Sequence, residues 1–132
     1  MSDRGLTAPM ADATTTVADL KKAMAEFVQA RDWAQFHSPK NLSMSLAVEA
    51  AELMEHFLWM ENAESEIGQL DAAVRHAIGE EMADVACLLL AMSNATGIDL
   101  SEAISAKLVK NAVKYPAERY RSRYRIGKEE NH

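Results

Sequence analysis

The sequence contains one cysteine, few aromatic residues and no long hydrophobic run. Because Cys87 is the only cysteine among 132 residues, no intrachain disulfide can form. We expect a reducing, cytoplasmic location in which Cys87 is a small buried hydrophobe. The longest apolar run, residues 85–92, is far shorter than the roughly 20 residues that cross a bilayer. The N-terminus lacks a basic patch followed by an apolar core, so we expect no signal peptide and no membrane partner.

Basic residues are too few for a general nucleic-acid-binding protein. The chain has 14 lysines and arginines against 20 aspartates and glutamates, a formal net charge of -6. Proteins that bind nucleic acid through phosphate contacts are usually basic, so we expect no nucleic-acid partner. With 132 residues, 48% of them hydrophobic, the chain fits one globular domain with a single core.

Apolar residues recur at helical spacing, and no stretch alternates as a strand would. The pattern predicts an all-α, four-helix bundle-like fold with these helices: residues 16–32, 42–60, 70–96 and 99–115. Gly97 is placed to cap the third helix and Pro116 to end the fourth. We expect a disordered N-terminal arm over residues 1–14, one domain over 15–116 and a basic, flexible tail over 117–132.

Two pairs of acidic residues are the strongest functional signal. Glu49 and Glu52 are spaced i,i+3 on the second predicted helix, and Glu81 and Asp84 repeat that spacing on the third. Each pair borders an apolar stripe, where carboxylates lose hydration unless a counter-charge is present. Oxygen ligands without histidine suit Mg²⁺ or Mn²⁺ rather than iron. The spacing therefore predicts a metal site built across two helices.

A second polar set lies on the fourth predicted helix. Lys107, Asn111 and Lys114 are spaced i, i+4, i+7 and therefore line one face. Two cations flanking an amide can bind phosphate oxygens that a metal leaves free. The alternative is a solvated lysine face, which we would favour if this helix stood alone.

The connector before the second helix is rich in aromatic and polar side chains: Trp33, Phe36, His37, Lys40 and Asn41. Its aromatic rings can stack on a nucleobase while the histidine and the amide contact its polar edge. Equally, the rings can pin the connector to the core. Trp59 has the same two alternatives. His56 lies close to the glutamate face, and we favour a structural role for it over one beside the metal.

Four separated segments together resemble a known family. They are R-D-W-A-Q-F-H-S-P-K-N-L from residue 31, E-A-A-E-L-M-E-H-F-L-W from residue 49, E-E-M-A-D-V from residue 80 and K-L-V-K-N-A-V-K-Y-P from residue 107. The chain resembles the MazG-like all-α nucleoside triphosphate pyrophosphatases, and most of all their dCTP pyrophosphatase branch. The resemblance runs in order from about residue 31 to residue 116.

The resemblance implies hydrolysis of a nucleoside triphosphate, with dCTP or a modified dCTP as the expected substrate, to the monophosphate and pyrophosphate. It implies that Glu49, Glu52, Glu81 and Asp84 hold Mg²⁺, with Mn²⁺ as a possible substitute. The expected substrate-binding residues, which include the amide of Asn41 in the connector, are Trp33, Phe36, His37, Asn41, Trp59, Lys107, Asn111, Lys114 and Tyr115.

Residues 85–92 also predict self-association, because a helix that is apolar on every side must be covered on every side. We expect a homo-oligomer, a dimer or a tetramer, and the resemblance implies active sites near subunit boundaries. The alternative from another functional class is a non-catalytic helical oligomer that binds a nucleotide or a partner protein. In that case the acidic residues would be purely structural.

Overall fold

The computed structural model describes residues 9–123, and within that range the regular structure is entirely helical. The α-helices are α1 (Val17–Ala30), α2 (Pro39–Glu55), α3 (Ala72–Thr96), α4 (Leu100–Lys114) and the short α5 (Ala117–Tyr120). The all-α class predicted from the sequence is confirmed for these residues. Residues 1–8 of the predicted arm and residues 124–132 of the predicted tail lie outside the described residues.

Side-chain caps explain where the helices begin. The Thr16 hydroxyl accepts a hydrogen bond from the Asp19 N–H at 3.1 Å, and the Asp19 carboxylate accepts one from the Thr16 N–H at 2.9 Å. This reciprocal capping box satisfies two backbone donors at the start of α1. Asp99 caps α4 by accepting from the Glu102 N–H at 2.8 Å.

Helix α2 begins and ends earlier than the sequence pattern predicted. Ser38 accepts a hydrogen bond from the Asn41 N–H, and Pro39 occupies the first turn, where its missing N–H is not needed. At the other end, Phe57 N–H donates to the carbonyl of Met54, and Met60 N–H to that of Phe57. These i,i−3 bonds make tight turns rather than another α-helical turn, so Trp59 lies beyond the helix.

The chain divides into two compact units, Met1–Ile98 and Asp99–His132. In the first unit, α3 packs against both α2 and α1. The buried hydrophobic residues among those described are Leu42, Ile78, Leu90 and Ala91. Gly97 ends α3 with a φ of 69°, a left-handed conformation that glycine adopts without a Cβ clash. In the second unit, the rings of Tyr115 and Tyr120 meet edge to face at 5.2 Å.

The apolar run in α3 is only partly covered. Leu90 and Ala91 are buried, but Leu89 is 40% exposed and Cys87 is also exposed. The expectation that Cys87 is buried is therefore wrong for the protomer, because α1 and α2 do not cover its side of α3. Among the described helices, no single one is long and apolar enough to span a membrane.

Candidate metal centre

The structure brings three of the four predicted ligands together. Glu49 and Glu52 project from α2 and Glu81 from α3, and one carboxylate oxygen of each lies within 4.8 Å of the others. Glu49 and Glu81 are half-buried, whereas Glu52 is exposed. The three residues are called the acidic cluster below. Three negative carboxylates at this separation repel one another unless a proton or a cation lies among them.

Two oxygen atoms of the acidic cluster are buried without a hydrogen-bond partner. They are Oε2 of Glu49 and Oε2 of Glu81, one on each helix. A buried carboxylate oxygen that accepts no hydrogen bond loses hydration without compensation. A hard divalent cation compensates such oxygens, since carboxylates are its preferred ligands. The donor set therefore fits a divalent cation.

The crowding is visible in the pKa of Glu49, which is raised from 4.5 to about 7. The largest cause is a side-chain hydrogen bond with Glu52, which forms when Glu49 holds a proton. Burial of the carboxyl group comes next, followed by repulsion from the charges of Glu52, Asp84 and Glu81. Near neutral pH the cluster thus retains a proton at Glu49 for part of the time.

Asp84, the fourth predicted ligand, lies on α3 one turn beyond Glu81. It is exposed and does not belong to the group whose oxygens meet within 4.8 Å, but its charge acts on Glu49. It also acts on the thiol of Cys87, whose pKa is raised first by partial desolvation beside the helix surface, although the residue as a whole is exposed, and second by the charge of Asp84. Asp84 is therefore within electrostatic reach of the cluster.

Glu80 and His56 are neighbours of the acidic cluster residues in sequence or in space, and they differ in whether they approach the cluster. Glu80, next to Glu81 in the sequence, pairs with His76 at 3.1 Å on an exposed part of α3. His56 directly follows α2, and its Nε2 lies 3.9 Å from Oε1 of Glu81. Of these two residues, the structure brings only His56 close to the acidic cluster.

The aromatic residues of the connector differ in how they are held. Trp33 meets Phe27 edge to face at 5.8 Å, and the ring of His37 lies 6.4 Å from that of Trp33. Phe36 is 60% exposed, although its carbonyl accepts a hydrogen bond from Asn41 Nδ2 at 3.2 Å. Trp33 therefore helps to fix the connector on α1, whereas Phe36 does not pack into the core.

Trp59 is 91% exposed. The alternative that Trp59 covers the core is therefore wrong for the protomer. An indole ring left in water by its own subunit remains available to a ligand or to another subunit.

A cavity of about 480 Å³ opens beside His37. Its lining combines small apolar residues with a few polar ones: Ala25, Val28, Gln29, Asp32, Ala34, His37, Pro39, Ala91, Asn94 and Ala95. Sequence analysis singled out His37 but missed Asp32, whose backbone has a φ of 51°. It also missed Asn94, whose Nδ2 donates to the carbonyl of Lys21 at 2.9 Å. No spacing in the sequence connects residue 32 with residue 94.

The predicted phosphate-binding residues lie in the second unit. Lys107 and Lys114 are exposed and Asn111 is half-buried on α4. The ammonium of Lys114 lies 5.2 Å from the ring centroid of Tyr115, within range of a cation–π contact. Within this unit the two lysines remain accessible to an anion.

Two curated proteins that are similar in sequence to this chain are both named dCTP pyrophosphatase 1. The dCTP pyrophosphatase 1 of Rattus norvegicus is 38% identical over 101 residues, which are 76% of this chain and 59% of that protein. The dCTP pyrophosphatase 1 of Homo sapiens is 37% identical over 107 residues, 81% of this chain and 63% of that protein. The chain thus spans about three fifths of the length of these relatives.

A solved structure and a family match agree with these relatives. The crystal structure of a pyrophosphatase from Archaeoglobus fulgidus is 33% identical, covers 82% of this chain and 99% of its own, and has a TM-score of 0.70. The MazG-like family matches residues 44–126, a range that contains all four predicted ligands. The resemblance seen in the sequence motifs is confirmed: the chain belongs to the MazG-like family.

Proposed function

We propose that this chain is a Mg²⁺-dependent nucleoside triphosphate pyrophosphohydrolase, with Mn²⁺ as a possible substitute for Mg²⁺. The observation that carries the proposal is the pair of buried, unpartnered Oε2 atoms of Glu49 and Glu81 within the acidic cluster. The names of the curated relatives and of the Archaeoglobus protein support the same chemistry. The reaction is the conversion of a nucleoside triphosphate to its monophosphate and pyrophosphate.

Four carboxylates would hold the cation: Glu49 and Glu52 of α2, and Glu81 and Asp84 of α3. A bound divalent cation supplies positive charge to the phosphates and makes a nearby water easier to deprotonate. A carboxylate of α2 that is not fully engaged in holding the cation, Glu49 or Glu52, would accept the water proton as a general base.

The remaining site residues would bind the nucleotide. We assign the phosphates and sugar to Lys107, Asn111, Lys114 and Tyr115, because ammonium and amide donors bind phosphate oxygens. We assign the base to the connector and to Trp59, with the exposed rings of Phe36 and Trp59 available for stacking. His37 and Asn41 complete this set as polar contacts. The names of the relatives support dCTP, or a modified dCTP, as the substrate.

We further propose that the chain forms a cytoplasmic homo-oligomer, a dimer or a tetramer. Several large apolar side chains of α2 and α3 are exposed in the protomer: Met44, Val48, Met54, Met82 and Leu89. Leaving such side chains in water costs roughly 25 cal/mol for each Å² that a partner subunit could bury. Self-association of identical subunits would remove that cost.

The decisive experiment is hydrolysis of a nucleotide panel by the purified chain. With Mg²⁺ present, we expect equal amounts of monophosphate and pyrophosphate, dCTP or a modified dCTP as the preferred substrate, and no turnover after chelation by EDTA. Release of orthophosphate and a diphosphate would contradict the assigned bond cleavage. Tight nucleotide binding without turnover, unchanged by Mg²⁺ or Mn²⁺, would instead favour the non-catalytic helical oligomer.

A further inference from the structure

His56 lies where it can act on a single oxygen of the acidic cluster. It directly follows α2 as its C-terminal cap residue, and its backbone N–H donates to the carbonyl of Met54. Its Nε2 lies 3.9 Å from Oε1 of Glu81, with 29% of the His56 side chain and 22% of the Glu81 side chain exposed. Both groups are thus partly withdrawn from water, where a polar contact is stronger than on an open surface.

The two oxygens of Glu81 have different surroundings. Oε1 faces the imidazole of His56, whereas Oε2 is buried with no hydrogen-bond partner and belongs to a cluster that fits a cation. A carboxylate that can rotate freely presents its oxygens interchangeably. One that is held at Oε1 presents Oε2 in a fixed direction, so less freedom is lost when a cation binds.

We propose that His56 is a positioning residue of the metal centre, whose Nε2–H holds Oε1 of Glu81 and leaves Oε2 free to bind the cation. The inference rests on the proposed metal-dependent function and adds to it a residue that is not itself a ligand. Closing the contact from 3.9 Å to hydrogen-bond distance requires a movement of about 1 Å. Side-chain torsions of two half-buried residues permit a movement of that size.

A second histidine–glutamate pair provides a matched comparison. His76 Nε2 lies 3.1 Å from Glu80 Oε1, closer than in the His56 pair, but its side chains are 78% and 69% exposed. Glu80 contributes no oxygen to the acidic cluster. If proximity of a histidine to a glutamate were sufficient, both histidines would affect cation binding. Under the proposal, only His56 does so.

The test measures cation binding directly, on the full chain without nucleotide. Isothermal titration with MgCl₂ and MnCl₂ compares the wild type with His56→Phe, His56→Gln, His76→Phe and Glu81→Ala, and circular dichroism checks that each variant is folded. His56→Phe keeps a planar ring but has no N–H, whereas His56→Gln retains an N–H at a similar reach. If His56→Phe unfolds, His56→Leu takes its place.

We expect His56→Phe to weaken Mg²⁺ and Mn²⁺ binding in parallel by about tenfold, as loss of a residue that orients a ligand does. The cation affinity of His56→Gln should stay within about threefold of that of the wild type. The cation affinity of His76→Phe should equal that of the wild type. Turnover by His56→Phe should recover at saturating Mg²⁺, because the substitution leaves every ligand in place.

Three results would overturn the assignment. Unchanged cation affinity in His56→Phe would mean that His56 does not orient Glu81. Equal losses in His56→Phe and His56→Gln would indicate that ring packing matters rather than the N–H. A loss for Mn²⁺ much larger than for Mg²⁺ would make His56 itself a ligand. If the wild type bound no cation, or Glu81→Ala bound normally, the proposed metal centre would fail together with this inference.

Discussion

Glu49 and Glu52, one turn apart on α2, share a hydrogen bond when Glu49 is protonated, and this contact is the largest cause of the raised pKa of Glu49. The value of about 7 means that a proton and a cation compete for the acidic cluster near neutral pH. A proton relieves the repulsion among the carboxylates only partly, whereas a divalent cation adds two charges and binds several oxygens. Two pH-dependent properties of the protein follow from this competition.

The first is the stability of the metal-free protein. The pKa of Glu49 is about 7 in the native state against 4.5 for an ordinary glutamate, so the native protein binds more protons than the unfolded chain between these pH values. The contribution of Glu49 to stability is therefore present below about 4.5, is lost as the pH rises towards 7 and stays lost above it. Thermal melting in EDTA from pH 5 to 8 should show a falling midpoint in the wild type. Glu49→Gln, which cannot ionise, should show a flatter profile, and an equally steep profile would contradict the role of Glu49.

The second is the affinity for the cation. Because Glu49 must lose its proton to bind a metal, a pKa of about 7 predicts that Mg²⁺ or Mn²⁺ binds about fivefold more weakly at pH 6 than at pH 7. Between pH 7 and 8 the gain should be only about twofold. Titration calorimetry at each pH measures both values. In Glu52→Gln the loss of cation affinity should occur at a lower pH, because the contact that mainly raises the pKa of Glu49 is changed. Cation binding by this variant should be weaker than in the wild type at every pH.

Removal of a ligand should abolish turnover without unfolding the protein. We expect Glu81→Ala to lower kcat/KM for the preferred nucleotide by at least about 100-fold, because loss of a ligand should exceed the 10- to 100-fold effects of residues that only orient ligands. The metal-free variant should be as stable as the wild type or more so, since one crowded charge is gone. Glu80→Ala, which alters the adjacent exposed carboxylate, is the matched control. Near-normal activity of Glu81→Ala at saturating Mg²⁺ would refute the assignment.

Helix positions were predictable where a local signal decides them. The first helix was predicted to start at residue 16 and the third to be capped by Gly97, and the caps observed at Thr16 and Gly97 agree with both. The start of α2 was misplaced because Pro39 was interpreted as part of a loop, although a proline directly after a serine cap favours a first helical turn. Its end was misplaced because the apolar spacing continues through residues 57–60, where the backbone tightens into turns.

The acidic cluster was predictable for a different reason. A spacing of i,i+3 places two carboxylates on one side of a helix, so Glu49 with Glu52 needed only a facing helix that carries Glu81. Which oxygens are buried, and which residue retains a proton, depends on the packing of α2 against α3. The cavity beside His37 depends on tertiary contacts in the same way, because it joins residues from α1, the connector and α3.

The connector should determine base preference rather than metal dependence. Phe36→Ala or His37→Ala should change the ratio of kcat/KM between dCTP and other nucleotides, by about tenfold for Phe36, whose exposed ring can make a stacking contact worth about 1–3 kcal/mol. The Mg²⁺ concentration for half-maximal rate should stay close to that of the wild type. Met10→Ala, another exposed apolar residue, serves as the control. Equal loss of activity by both connector variants on every nucleotide would mean that the connector is only a scaffold.

The chain should function as a homo-oligomer, and Leu89 offers a direct test. Leu89 lies within the apolar run of α3 and is 40% exposed in the protomer, so an aspartate there would place a charge in a subunit interface. We expect Leu89→Asp to dissociate the assembly or unfold it, and to lose activity in either case. Val17→Asp is a matched control, because Val17 is 38% exposed and begins α1, where an aspartate is favoured by the helix dipole. Multi-angle light scattering that shows a fully active wild-type monomer at micromolar concentration would refute the prediction.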